Sequence, residues 1–256
     1  MLSFLKKSYY IIKNYGFKDF FKRVSKKVKK FFYPYFKFLF FFLSFIKIKK
    51  IYKNSNLEQS LEKIFNLSFF IPNQVKSEVL ELLSSLQKEK PKYILEIGTG
   101  NGGMLFLFSL IADSRAKIIS IDLPGGEFGG GYVVWRIPFY KSFRKENQKV
   151  YLLRKDSHKE ETLKKIEAIL NNQKLDLLFI DGDHTYEGVK KDFKMYGSLV
   201  RKNGLIVFHD IVPGPEENIG GVPEFWKEIR KNYQSQRIEI VRNWDQNGYG
   251  LGIITA

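Results

Sequence analysis

From residue 57 the chain alternates between two hydrophobic periods. LEQSLEKIF (57–65) and QVKSEVLELLSSLQKE (74–89) carry apolar residues three and four apart, the spacing of amphipathic helices, with Asn73 expected to cap the second. Short apolar runs follow, each set off from the next by a helix-length stretch. They are YILEIG (93–98), KIISID (117–122), KVYLLR (149–154), LDLLFID (175–181) and GLIVFHD (204–210). Strands that alternate with helices in this way predict right-handed βαβ units, and so an α/β fold around a doubly wound, mostly parallel sheet. Ser157 with Glu160 three residues on reads as a capping box for a helix over 158–171. Two further strands, RIEIVR (237–242) and YGLGIIT (249–255), flank the turn-like NWDQNG. There is no internal repeat.

Residues 1–53 break the pattern. Lysines interleave with Tyr, Ile, Phe and Val over 6–30, as in a basic amphipathic helix, and 31–46 (FFYPYFKFLFFFLSFI) is densely aromatic. A membrane-spanning helix needs about 20 apolar residues, and this run is shorter and holds Pro34 and Lys37, so no span is expected. It also starts too late for a secretory signal and lacks a small-residue cleavage site.

Charge sharpens the division. Of the net +16, residues 1–53 hold 15 Lys or Arg against one acid, Asp19, while 54–256 hold 28 bases and 26 acids. The expected organisation is therefore a basic, aromatic extension (1–53) before a nearly neutral domain (54–256). Either the aromatics of the extension pack on the domain with their lysines in water, or the extension lies on an anionic membrane, where each lysine contributes about 1 kcal/mol. The second placement implies a cytoplasmic protein peripheral to the inner face of the membrane. With no cysteine there are no disulfides, thiolate nucleophiles or cysteine-bound zinc, in keeping with a reducing compartment.

Three clusters carry chemistry. Glu96-Ile-Gly98-Thr-Gly100-Asn-Gly102-Gly103 follows one strand and precedes a helix, where glycines let a ligand approach the backbone. Gly98, Gly100 and Gly103 also satisfy the dinucleotide spacing GxGxxG, but Glu96 leading into the turn suits the cationic end of S-adenosylmethionine better than a pyrophosphate. Asp122 ends the next strand, where an acid receives ribose hydroxyls. Asp181, Asp183 and His184 lie at the end of the fourth strand, and His209-Asp210 at the end of the fifth. Asp181 and Asp210 could share a hard divalent cation, or join a strand-end hydrogen-bond network without one. The glycine-rich GGEFGGGY (125–132) reads as a lid over the acceptor site, with Trp135 and Tyr140 as stacking groups.

LEIGTGNGG, SIDLPGGEFGGGY, FIDGDHTYEGVKKDF, GLIVFHDIVP and GVPEFWKEI together resemble the class I methyltransferases, specifically methyltransferase family 24. That group is similar to metal-dependent sugar O-methyltransferases and to cephalosporin-hydroxylase-like proteins. The resemblance implies seven strands with the last antiparallel, and S-adenosylmethionine as cofactor, lined by Glu96, Gly98 and Gly100. It puts Asp122 on the ribose, Asp156 and Ser157 near the adenine, Mg²⁺ on Asp181 and Asp210, and His184 as catalytic base. Where the sugar methyltransferases carry Asp-Asp, this chain has His209-Asp210, so the metal site loses one carboxylate. For His209 three roles are left open: weak coordination, a hydrogen bond to Asp181, or a second base.

The expected activity is O-methylation of a sugar, glycan or other small hydroxyl acceptor. Three readings compete with it: a nicotinamide dehydrogenase, which would keep the glycines but has no use for FIDGDH, and two others. One is a non-catalytic, membrane-associated binding module of the same fold. The other, a nucleic-acid methyltransferase, fits the basic extension but not DGDH, where amino-methylating enzymes carry an Asn/Asp-Pro-Pro-aromatic motif. Acceptor identity and oligomeric state are not legible in the sequence.

Overall fold

The computed structural model describes residues 39, 41–51, 56–67, 69–126 and 130–256. The chain forms two compact units, residues 1–47 and 48–256. In the first, the described residues 39 and 41–47 are helical; the basic stretch 6–30 and Pro34 lie outside the described residues. Among the described residues no helix is long and apolar enough to cross a membrane. The second unit starts slightly before the change in composition at residue 53: Ile48 and Ile51 are buried and Lys49 donates to the Ser142 carbonyl.

The second unit is built on seven strands: β1 (Tyr93–Ile97), β2 (Lys117–Ile121), β3 (Lys149–Leu153), β4 (Leu175–Ile180), β5 (Val200–His209), β6 (Arg237–Ile240) and β7 (Leu251–Thr255). They lie in the order β3-β2-β1-β4-β5-β7-β6. Strands β1 to β5 are parallel and β7 is antiparallel to both β5 and β6, so the sheet is mixed. Its helices are α1 (Leu57–Phe65), α2 (Lys76–Glu89), α3 (Gly103–Ile111), α4 (Ile137–Lys141), α5 (Glu160–Leu170), α6 (Tyr186–Tyr196), α7 (Glu216–Ile219) and α8 (Val222–Ile229).

The inner strands are apolar almost throughout because both faces are covered. On one face Leu178, Ile180 and Phe208 join Ile166 of α5, Val189 of α6, and Phe225 and Trp226 of α8 in a single cluster. On the other, Phe179 meets Phe108 of α3 edge-on at 5.4 Å. That partnership explains why α3, GMLFLFSLI, is buried on nearly every side.

Two helix starts differ from expectation. Helix α2 begins after an extended Val75 with no side-chain cap, because Gln74 turns its carboxamide inward and keeps the backbone extended past Asn73. Helix α5 begins at Glu160, and Ser157 and Glu160 form no capping box. Instead Thr162 Oγ1 bonds to the Asp156 carbonyl at 2.7 Å, His158 N to Asp156 Oδ1 at 2.8 Å, and Ser157 is buried.

Candidate active site

Strand register assembles the site. Ile97 pairs with Ile121 on one side and Ile180 on the other, and Ile180 pairs with Phe208. The residues that follow, Gly98, Asp122, Asp181 and His209, therefore stand in a row at the C-terminal edge of the sheet. The strand order reverses between β1 and β4, the point where open α/β sheets form a ligand crevice.

The β1–β2 half holds glycines and carboxylates. Gly98 has φ +99°, and a Cβ there would fall 1.8 Å from the Asp181 carbonyl oxygen, so the backbone of the β4 end itself requires glycine. Gly100, at φ +47°, faces open space, with nothing within 4 Å of such a Cβ. Asp122 is buried; its Oδ2 accepts from Gly100 N at 2.8 Å and its Oδ1 from Gly131 N at 2.6 Å. Glu96 is wholly buried. Ser120 Oγ donates to its Oε2, Thr99 Oγ1 lies 2.5 Å from Ser120 Oγ, and among the described residues Glu96 Oε1 has no hydrogen-bond partner. Burial, against the Ser120 hydrogen bond and helped by the charges of Asp181 and Asp122, pushes the Glu96 carboxyl up to about 8. Beyond β3, Asp156 is half-buried and Ser157 buried.

The β4–β5 half combines two aspartates and two histidines. Asp181 Oδ1 accepts from His209 Nδ1 at 2.8 Å and lies 3.5 Å from His184 Nε2, and its Oδ2 accepts from Gln74 Nε2 at 2.7 Å. Asp210 Oδ2 stands 3.2 Å from His209 Nδ1 and 3.5 Å from His184 Nδ1. Burial alone would raise Asp181, but the imidazoles of His209 and His184 outweigh it and hold the carboxyl well below its usual range. The two aspartates in turn hold both imidazoles above theirs, against the opposing effect of burial. Of the three roles open to His209, the one realised is the hydrogen bond to Asp181, and at 2% exposure the ring is sealed from solvent. His184 Nδ1 donates to the Asn218 carbonyl at 2.5 Å; a carbonyl only accepts, so in the neutral ring Nε2 carries the lone pair.

Asp181, His184 and Asp210 each offer a ligand atom, all within 4.8 Å of one another. The two carboxylates suit a divalent cation, with the His184 imidazole beside them, and the hydrogen bond from His209 would orient Asp181 toward it. Asp183, by contrast, turns away to accept from Thr185 N and Oγ1 at the start of α6.

Tyr140 is not a stacking group. It is fully buried, packed at 5.5 Å from Phe143 and 5.1 Å from Tyr132, while Trp135 is exposed with Arg136 over its ring. Residues 127–129 of the expected lid lie outside the described residues; Gly131 is tethered to Asp122.

Three neighbours of the site escape the sequence reading. Gln74 reaches Asp181 from 107 residues away. Tyr249, at φ +64°, donates its N–H to Asp210 Oδ1 at 3.1 Å, and its ring lies 6.1 Å from that of His209. Glu78, buried on α2, accepts from Arg242 N, Gln246 Nε2 and Gly250 N at 2.8–3.1 Å and so fixes the loop that carries Tyr249. Glu78 does leave a trace: it stands four residues before Leu82 and eight before Leu86, on the apolar stripe of its helix, where a solvated acid does not belong.

Residues 95–211 match the model of methyltransferase family 24, described as "Methyltransferase domain". An uncharacterized protein, R132, of Acanthamoeba polyphaga mimivirus is 29% identical over 166 residues, 60% of this chain; the chain spans 63% of that relative's length. Among solved structures, the O-methyltransferase from Bacillus cereus in complex with SAH superposes with a TM-score of 0.54 at 14% identity, over 79% of this chain and 92% of that one. CalS11, a TDP-rhamnose 3'-O-methyltransferase of calicheamicin biosynthesis, gives 0.50 at 16% identity over 83% and 92%. At such identities these likenesses speak for the fold alone.

Proposed function

We propose that this chain, whose residues 95–211 match the methyltransferase-domain model, is a class I S-adenosylmethionine-dependent methyltransferase that methylates a hydroxyl oxygen of a small sugar or glycan acceptor. The observation that carries the reading is the convergence of Asp181, His184 and Asp210 at the ends of adjacent strands, next to the glycine turn after β1. CalS11, which shares the fold, takes a sugar, and its acceptor class is the one proposed for this chain.

Methyl transfer is a direct displacement, so the protein mainly aligns an oxygen nucleophile with the methyl carbon. S-Adenosylmethionine supplies that methyl on a sulfonium. The open space above Gly100 would admit the cofactor, Asp122 would hold its ribose and Asp156 with Ser157 its adenine, while Glu96, kept protonated near neutral pH by burial, supports the turn from beneath. A sugar hydroxyl is too weak an acid to ionise freely at neutral pH. His184 Nε2, oriented by the Nδ1–H bond to Asn218, takes its proton. His209 and Gln74 hold the Asp181 carboxylate in place. Asp181 and Asp210 would hold a divalent cation such as Mg²⁺, which lowers the pKa of a hydroxyl it touches. The basic extension supports attachment to an anionic membrane surface.

The test is conversion of S-adenosylmethionine to S-adenosylhomocysteine with nucleotide-linked sugars such as TDP-rhamnose, and with catechols for comparison, in EDTA and after adding Mg²⁺. Turnover on a sugar that EDTA abolishes and Mg²⁺ restores is the expected result. Full turnover in EDTA removes the cation, and turnover on catechols alone removes the sugar.

A further inference from the structure

A second cluster of titratable groups, Asp156, His158, Asp183 and Asp192, takes no part in the transfer itself. It lies where the loop after β3 meets α6. Asp192, on α6, is fully buried, and a carboxylate taken out of water needs a partner. His158 supplies one: its Nε2 stands 3.3 Å from Asp192 Oδ1 and 3.2 Å from the Gly188 carbonyl oxygen, and its Nδ1 faces Asp183 Oδ2 at 4.0 Å. Both close acceptors face Nε2, which therefore carries a proton, and the charges of Asp192 and Asp183 favour the second proton of the imidazolium. Helix α6 grips the same loop again one residue earlier, where Tyr196 OH donates to the Ser157 carbonyl at 2.5 Å.

We propose that His158 and Asp192 are positioning residues for the cofactor, their ion pair locking the Asp156–Ser157 loop to the helix that opens just after His184. The proposal rests on Asp156 and Ser157 being the adenine-side contacts. His158 follows them directly in the chain, and Asp183 lies between Asp181 and His184. The pair thus joins the loop for the nucleoside end of the cofactor to the loop for its reacting end, so that one rigid piece sets both.

The charge state follows from the surroundings. Asp192 on α6 holds the His158 imidazole above the ordinary histidine range, with Asp183 from the loop before α6 and Asp156 from its own loop adding to it, against burial. A histidine raised in this way contributes while protonated, and its contribution is lost as pH rises through the raised value.

The experiment is calorimetric binding of S-adenosylhomocysteine to the full chain from about pH 6 to about pH 9.5, for the native protein, His158→Gln and Asp192→Asn. At low pH both variants should bind about five- to tenfold more weakly than the native protein, within the usual range of coupling between sites. As pH rises the native affinity should fall until it meets that of His158→Gln. Titration of Glu96 and of the ligand's ammonium affects every form and cancels in the ratio, and a merely structural pair would shift thermal stability without this convergence. Folded variants with native affinity and a native pH profile overturn the proposal. Should neither variant fold, His158→Lys, which keeps a cation beside Asp192 but titrates higher, takes their place: a native affinity lost at lower pH than that of His158→Lys supports the proposal, and parallel profiles overturn it. If no form binds S-adenosylhomocysteine at any pH, the cofactor reading fails instead.

Discussion

The two halves of the C-terminal edge bury carboxylates in opposite ways. At the ends of β1 and β2, Glu96 and Asp122 are served by Ser120 and by the backbone N–H groups of Gly100 and Gly131, and among the described residues neither forms an ion pair. At the ends of β4 and β5, Asp181 and Asp210 are matched by His184 and His209. The backbone divides along the same line. Left-handed φ values fall on glycines in the first half, Gly98, Gly100 and Gly102, whereas around the second Asp210, Asn247 and Tyr249 adopt them alongside Gly220, Gly248 and Gly250. The first half is relaxed in its backbone and short of positive charge, which suits a ligand that brings its own cation. The second is balanced in charge and strained in backbone, as expected of groups held in a fixed arrangement for chemistry.

The comparison is broken most severely by removing one partner from the balanced half. Asp181→Ala leaves His209 buried beside a single carboxylate and should cost about 3–5 kcal/mol in urea unfolding, as uncompensated buried charges do. His184→Ala, in the less buried ring, should keep most of the stability and S-adenosylhomocysteine affinity while turnover drops roughly 10²–10⁴-fold. Equal stability losses for the two would mean that both histidines are structural.

The acid-rich half answers to pH instead. Glu96 has its carboxyl near 8 in the folded protein against 4.5 in the unfolded chain, so between those values the folded state holds the extra proton and stability falls as pH rises. Glu96→Gln removes the charge but keeps the shape. It should have little effect near pH 4.5 and stabilise progressively up to pH 8, on the order of a few kcal/mol at the top, since every tenfold change in proton affinity corresponds to about 1.4 kcal/mol. Melting curves that run parallel for the two proteins across this range would show that Glu96 ionises freely and that this half is not short of positive charge.

What the sequence reveals follows the same division. Strand order and the row Gly98, Asp122, Asp181, His209 are legible because parallel strands announce themselves as apolar runs ending in polar residues. The partners that arrive from elsewhere are not. Gln74 is one polar residue in a turn, and only the fold brings it to Asp181. Asp192 and Glu78 leave a fainter sign, acids on the apolar register of α6 and α2, which the eye takes for solvated surface. Tyr140 errs the other way: an aromatic beside a glycine-rich loop looks like a binding group, yet Phe70, Tyr132 and Phe143 enclose it.

The smallest expected effect separates the halves by backbone alone. Gly100 and Tyr249 both sit at left-handed φ, +47° and +64°, one with glycine and the other with a bulky side chain. For an L-residue that conformation costs roughly 1–2 kcal/mol, and glycine gives back about 0.5–1 kcal/mol through the greater freedom of its unfolded chain. By backbone alone, exchanging the residue types should therefore move stability in opposite directions. Gly100→Ala meets no steric obstacle, since nothing lies within 4 Å, and should still destabilise by about 1 kcal/mol through φ alone. Tyr249→Gly should stay close to neutral, because relief of the left-handed φ is offset by the packing lost from a ring that is 36% exposed and so mostly covered. Tyr249→Phe, which keeps ring and strain, should melt with the native protein. If Tyr249→Gly melts several degrees lower, the ring rather than the backbone stabilises the loop, and the strained conformation beside Asp210 is a by-product of packing. If it melts higher while turnover falls, the protein spends stability at this position to keep a tyrosine over His209, and the second half is strained for the sake of its chemistry.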